Sequence, residues 1–167
     1  MVIWIIGLSG SGKTTLAKDI INKTKKKLSN IVLLDGDIIR DVFANDIGHS
    51  ISDRLINAQR INRLCKMFED QGIHVIASIL SIFPESREWN RKNLMKYYEV
   101  YIDAPIEQLK YRDDKGLYKK FDLGEINNLA GMDLEFLPPK NSDLIINNNR
   151  SLNELLSHSE FLSSLFK

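Results

Sequence analysis

Short apolar runs rich in β-branched residues recur along the chain, at Val2 to Ile6, Ile31 to Leu34, Ile73 to Leu80, Tyr98 to Ile102 and Leu144 to Ile146. Runs of this length with little polar alternation are those of strands covered on both faces. The intervening segments carry helical signals. Thr14 to about Lys27 begins with good helix formers and ends in the cations Lys23 to Lys27, which suit a helix C-terminus. Ile38 to about Ala44 predicts a short helix, and Asn45 to Ser52 is a polar connector. Asp53 to Gln71 predicts a long amphipathic helix, with Ser52 as N-cap, Gly72 at C′, and Ile56, Ile61, Leu64, Cys65 and Phe68 on its apolar side. Pro84 suits the first turn of a helix reaching about Met95, and another runs from Pro105 to Arg112. Ser151-x-x-Glu154 has capping-box spacing for a last helix, docked through Leu152, Leu155, Leu156 and Leu162. Residues 113–124 contain Gly116, are charged and aperiodic, and read as a mobile flap. The alternation predicts a three-layer α/β fold with a mainly parallel, about five-stranded sheet flanked by helices, in one domain spanning residues 1–167.

Composition narrows the partners. With 43% hydrophobic and 27% charged residues and a formal charge of +1, the 167-residue chain has no global charge that calls for nucleic acid or a membrane surface. Anion binding must therefore be local. No run approaches the roughly 20 apolar residues of a membrane span, and the apolar start lacks a basic flank and stops at Gly7. The single cysteine, Cys65, reads as a buried structural thiol, which fits a reducing compartment and makes the cytoplasm the expected location.

The first strand runs straight into Gly7-x4-Gly12-Lys13-Thr14, followed by helix formers. This is the Walker A pattern of P-loop proteins: glycines let backbone N–H groups approach phosphate, the lysine reaches the β/γ-phosphates, and the hydroxyl sits on Mg²⁺. One strand over, Asp35-Gly36-Asp37 follows Leu34. Polar residues just past the end of a parallel strand face the ligand crevice, so Asp35 and Asp37 are candidates to orient an acceptor or organise the metal. Capping the next helix is the plainer role, although it requires only one of them. A third group is basic: Arg40, Arg54 and Arg60 beyond the second strand, and Lys115, Lys119 and Lys120 in the flap. As a set they suit a small anionic substrate; surface ion pairs are the alternative, most of all for Arg60.

At these residues the chain resembles adenylylsulfate (APS) kinases. The resemblance rests on Gly7-Leu-Ser-Gly-Ser-Gly-Lys-Thr-Thr15, Leu34-Asp-Gly-Asp-Ile-Ile-Arg40, Asp53-Arg54-x-x-Asn57 with Arg60, Lys66 and Phe68, Tyr98-Glu-Val-Tyr-Ile-Asp103, and Arg112-Asp-Asp-Lys-Gly-Leu-Tyr-Lys-Lys120, across residues 1 to about 146. It implies a P-loop kinase fold, usually dimeric, that moves the ATP γ-phosphoryl to the ribose 3′-hydroxyl of a nucleotide whose 5′-phosphate carries a second acidic group. The residues it gives to ATP are Gly7, Ser9, Gly10, Ser11, Gly12, Lys13, Thr14, Thr15 and Arg112, with Mg²⁺ on Thr14, water and Asp35. It implies that Lys13, Asp35 and Asp37 carry catalysis. Toward the substrate it implies Asp37 near the acceptor hydroxyl, Arg40, Arg54 and Asn57 on the 5′ anionic group, Ser81 near the acceptor, and Lys115, Gly116 and Leu117 in the closing flap.

The departures cluster where the family reads its substrate. Ile38 replaces an Asn, Gln59 replaces the first Arg of a helical pair, Leu80-Ser-Ile-Phe-Pro84 replaces Ile-Ser-Pro-Tyr-Arg, and His49 and Leu129 stand where two aromatic residues sandwich the APS adenine. Loss of a stacking ring is worth about 1 to 3 kcal/mol per base. Retained transfer machinery with a rebuilt base pocket points to cytidine diphosphoramidate, the acceptor of APS-kinase-like proteins in capsular polysaccharide pathways, with APS as the alternative. A shikimate- or gluconate-kinase-like enzyme and a non-catalytic nucleotide sensor are the competing classes.

Overall fold

The computed structural model of the chain describes residues 1–149 and 151–166. The strands β1 (Val2–Ile6), β2 (Ile31–Asp35), β3 (His74–Ile79), β4 (Tyr97–Asp103) and β5 (Leu144–Asn147) form a parallel sheet in the order β2-β3-β1-β4-β5. All five residues of β1 are fully buried, as its uninterrupted apolar sequence demands of a central strand. Each such Ile or Val stabilises the fold by about 1.5 to 3 kcal/mol of burial.

Successive side chains of β1 point to opposite layers. On one face Ile3, Ile5, Ile76, Val100 and Ile102 pack with Leu16 and Ile20 of α1 (Lys13–Thr24) and Leu155 and Leu162 of α7 (Leu152–Ser164). On the other, Val2, Trp4, Ile6, Val75 and Ala77 meet Ile39 of α2 (Gly36–Val42) and Ile61 and Cys65 of α3 (Ile51–Asp70). The helix α4 (Pro84–Asn93) packs on α3. The chain thus leaves β1 toward one face and leaves the adjacent β3 toward the other. That reversal opens a crevice at the carboxyl ends of β1 and β3.

Four local expectations are corrected. The long helix starts at Ile51, and its N-cap is Ser50 rather than Ser52: the Asp53 N–H donates to the Ser50 hydroxyl at 3.2 Å. Asp53 occupies the third helical position, where its carboxylate accepts from the same hydroxyl at 2.6 Å, a pairing that Ser52 is too late to make. Ile56 is 41% exposed because Asn57 and Ala58, with Ile61 and Cys65, form the buried stripe, about 100° further round the helix. Leu152 is likewise exposed, whereas Ser151 caps α7 through the Glu154 N–H as expected. The flap is not aperiodic loop. After α5 (Ile106–Tyr111), Asp113 accepts the Leu117 and Lys119 N–H groups at 2.8 and 3.0 Å, Gly116 takes a left-handed φ of 66°, and α6 (Leu117–Asp122) buries Tyr118. Among the described residues no helix is long and apolar enough to cross a membrane.

Candidate active site at the phosphate loop

Glycine is required at two positions of the loop between β1 and α1. A Cβ on Gly12, at a left-handed φ of 93°, would lie 2.6 Å from Leu155 Cδ2 and 3.1 Å from Asn148 Nδ2. A Cβ on Gly7 would lie 2.5 Å from the Ser11 hydroxyl and 2.8 Å from the Ile102 carbonyl. Gly12→Ala therefore combines left-handed strain with overpacking, and an expected loss of about 2 to 4 kcal/mol is measurable by thermal or urea unfolding.

Among the described residues no side chain caps the N-terminus of α1, which leaves backbone N–H groups facing the loop, and none pairs with the buried Ser11 hydroxyl. Such donors suit phosphate oxygens. Lys13 donates to the Leu8 carbonyl at 2.7 Å across the loop. Burial lowers its ammonium from the ordinary 10.5 to about 8, opposed by Asp35 and Asp37 and assisted by Lys115. Phosphate bound against Lys13 would restore its proton. Nucleotide affinity is therefore expected to fall as pH rises above about 8, by up to tenfold per pH unit, with net proton uptake on binding. Calorimetric ADP titrations at pH 7 and 9 in buffers of different ionisation enthalpy measure both.

Beyond Lys13, the Thr14 hydroxyl donates to Asp35 Oδ2 at 2.8 Å and lies 3.3 Å from the Ser78 hydroxyl. Asp35 Oδ1 accepts the Asp37 N–H at 3.0 Å, so this buried carboxylate caps α2 and holds Thr14 at once. Among the described residues no group of three or more His, Cys, Asp or Glu side chains could hold a metal ion. The oxygen set of Thr14, Asp35 and Ser78 is of the kind that Mg²⁺ accepts, since that ion keeps most of its waters and takes one or two carboxylates plus phosphate. Asp37 forms an exposed ion pair with Lys115 of the flap. Burial alone would raise its carboxyl, but Lys115, Lys13 and Arg40 together hold it below the usual range.

The remaining predicted residues fall into two arms. The buried Arg40 donates to the Gly48 carbonyl at 2.6 Å. Arg54 donates to the His49 and Asn128 carbonyls, each at 3.0 Å, and so ties the exposed His49 arm to the arm carrying Leu129. Leu129 is buried with Leu109 and Tyr118, against which Leu117 also packs. Asn57 donates to the Gly36 carbonyl at 3.4 Å, and among the described residues its buried Oδ1 has no partner. Ser81 is buried just past β3. Arg60 pairs with Asp46 at 2.7 Å and stacks over Phe43, the surface role foreseen for it, and Lys119 and Lys120 are exposed.

Three contributors escaped the sequence reading. Asn148 donates its side-chain amide to the Ser11 carbonyl at 2.8 Å, and its own carbonyl accepts from Arg112 at 3.2 Å. Its place just beyond β5 was the available signal. The Tyr118 hydroxyl donates to the Ser9 carbonyl at 3.0 Å, fastening α6 to the phosphate loop, and Ser78 reaches Thr14.

The family model described as adenylylsulphate kinase matches residues 1–147. The chain belongs to the adenylylsulphate kinase family. Among its relatives, a cytidine diphosphoramidate kinase of Campylobacter jejuni is 42% identical over 151 residues, covering 89% of this chain and 86% of that protein. An adenylyl-sulfate kinase of Clostridium kluyveri is 38% identical over 150 residues, covering 89% and 75%. The APS kinase of Mycobacterium tuberculosis, solved with AMPPNP and APS, superposes with a TM-score of 0.88 at 33% identity, over 98% of this chain and 95% of that one. As a member of the adenylylsulphate kinase family the chain is an ATP-using phosphotransferase acting on a hydroxyl of a nucleotide.

Proposed function

We propose that residues 1–167 form one cytoplasmic kinase domain that transfers the ATP γ-phosphoryl to the ribose 3′-hydroxyl of cytidine diphosphoramidate, in capsular polysaccharide phosphoramidate biosynthesis. The observation that carries the transfer reaction is the line of contacts from Thr14 through Asp35 and Asp37 to Lys115, which runs from the phosphate loop to the flap beside the Lys13 ammonium that Asp35, Asp37 and Lys115 all influence. Phosphoryl transfer is chiefly positioning and charge stabilisation, and these are the groups it needs. The loop N–H groups, Ser9, Ser11, Thr15 and Arg112 hold the donor phosphates and nucleotide. Thr14 and Asp35 would hold Mg²⁺, which would supply positive charge against the phosphates. Lys13 stabilises charge on the transferring group, and Asp37 orients the acceptor hydroxyl and takes its proton. Arg40, Arg54 and Asn57 bind the 5′ group, and Lys115, Gly116 and Leu117 close over the nucleotides.

Support for the cytidine acceptor comes from the base positions. Leu129 is packed into an apolar cluster and His49 stands exposed, a pair that cannot repeat a two-ring clamp. Burial, Arg40 and Arg54 also push the His49 imidazole down, so it meets the base uncharged near pH 7. A Campylobacter relative named for this acceptor points the same way. Steady-state ADP release with both nucleotides decides the matter: turnover of the cytidine compound at least tenfold more efficient than of APS is expected, and efficient turnover of APS alone overturns the assignment in favour of sulfate activation. The active form is proposed to be a homodimer, for which light scattering should give twice the chain mass.

A further inference from the structure

Ser81 has a backbone conformation that its residue type does not explain. Its φ of 53° lies in the left-handed region, which L side chains adopt rarely and which glycine or asparagine would reach more easily. A buried serine remains in such a region only when its surroundings over-determine it. Two contacts do so. The indole of Trp4, fully buried in the middle of β1, donates to the Ser81 hydroxyl at 3.1 Å. The buried guanidinium of Arg87, four residues into α4, donates to the Ser81 carbonyl at 2.7 Å. One grip comes from the sheet beneath and the other from the helix above.

The chemistry of the donors fixes the hydroxyl's role. An indole N–H has no acceptor capacity, so Ser81 Oγ accepts and its own proton is not engaged with Trp4. Among the described residues the structure gives that hydroxyl no other partner. Ser81 is buried two residues past the carboxyl end of β3, on the side of the sheet where β1 and β3 send their chains to opposite faces and open the crevice. From there we infer that Trp4 and Arg87 are positioning residues that hold Ser81 in its left-handed turn, so that the Ser81 hydroxyl proton is presented as a hydrogen-bond donor to the acceptor nucleotide. The inference rests on the transfer reaction proposed above and goes beyond it by assigning two residues that act through Ser81.

Kinetics and fluorescence test it together. Ser81→Ala and Trp4→Phe should each lower kcat/KM for the acceptor roughly tenfold and leave the KM for ATP within about twofold, since one neutral hydrogen bond is lost or misaimed. The double variant should lose about tenfold, not a hundredfold, because both substitutions act on one contact. Arg87→Met, which keeps the aliphatic stem, should reproduce the loss and serves if Trp4→Phe does not fold. The chain has two tryptophans, so Trp89→Phe leaves Trp4 as the sole reporter. Acceptor binding should change its emission, and adding Ser81→Ala should abolish that change. Multiplicative losses, an unimpaired Trp4→Phe or Arg87→Met, or an emission change that survives Ser81→Ala would overturn the inference alone. A wild type that phosphorylates neither nucleotide overturns the proposed reaction with it. One that phosphorylates APS instead overturns only the choice of acceptor, and the same comparison then runs with APS.

Discussion

Lys13→Ala is expected to lower kcat by about a thousandfold or more, which ADP-release assays would register as loss of activity. The argument starts from what the side chain does without ligand. Its ammonium lies across the loop on the Leu8 carbonyl, in surroundings that penalise its charge strongly enough to bring it to about 8. A half-buried cation whose only hydrogen bond is to a neutral carbonyl, and which Asp35 and Asp37 support only in part, is poorly stabilised in the loop alone and strongly stabilised once phosphate arrives. The difference is the binding and catalytic contribution of the residue. Removing one preorganised donor from a water-excluded site typically lowers kcat by about 10² to 10³, and cations on a transferring phosphoryl group reach further. Stability should respond in the opposite spirit: alanine loses a hydrogen bond of about 1 kcal/mol but also relieves the desolvated charge. The unfolding midpoint is expected to stay close to that of the wild type. Near-normal turnover in this variant would refute the phosphate-loop assignment.

How legible was this site beforehand? β1 announced itself because a central parallel strand needs apolar residues on both faces, and the glycines of the loop were readable because no other residue allows the backbone at Gly12. Asp35 and Asp37 were readable from their place at a strand end. What stayed hidden depends on contacts between segments far apart in the chain. Lys115 meets Asp37 across 78 positions, and Asn148 meets Ser11 across 137. No local period encodes such pairs. The flap shows the same limit at shorter range: its helix is set by the Asp113 carboxylate and the buried Tyr118, not by an amphipathic stripe, so periodicity predicted a loop. Ser50 was missed because two serines flank the helix start, and only the reciprocal bond from Asp53 separates them.

Asp37→Asn should lower kcat by about two to three orders of magnitude while ATP affinity changes by less than about twofold, and Asp35→Asn should do something different. The contacts set the two carboxylates apart. Asp35 accepts the Thr14 hydroxyl and the Asp37 N–H, so it shapes the metal-facing side of the phosphate loop and caps α2. Its amide variant keeps one acceptor oxygen and much of the cap, but lacks the charge that would steady Mg²⁺. The expected result is a several-fold higher Mg²⁺ requirement alongside reduced turnover. The Asp37 side chain pairs with Lys115, which together with Lys13 and Arg40 holds its carboxyl below the usual range. A carboxylate so depressed is a weak base. When the flap lysine shifts to substrate phosphate, the largest lowering influence leaves, while those of Lys13 and Arg40 remain and burial still acts upward. Asp37 then becomes more basic at the moment the acceptor hydroxyl is beside it. Lys115→Met should therefore move the acidic limb of the kcat/KM profile to higher pH, because Asp37 titrates later without its partner. An unmoved limb in Lys115→Met, or an Asp37→Asn variant defective only in binding, would make this pair a structural latch and return the role of base to Asp35.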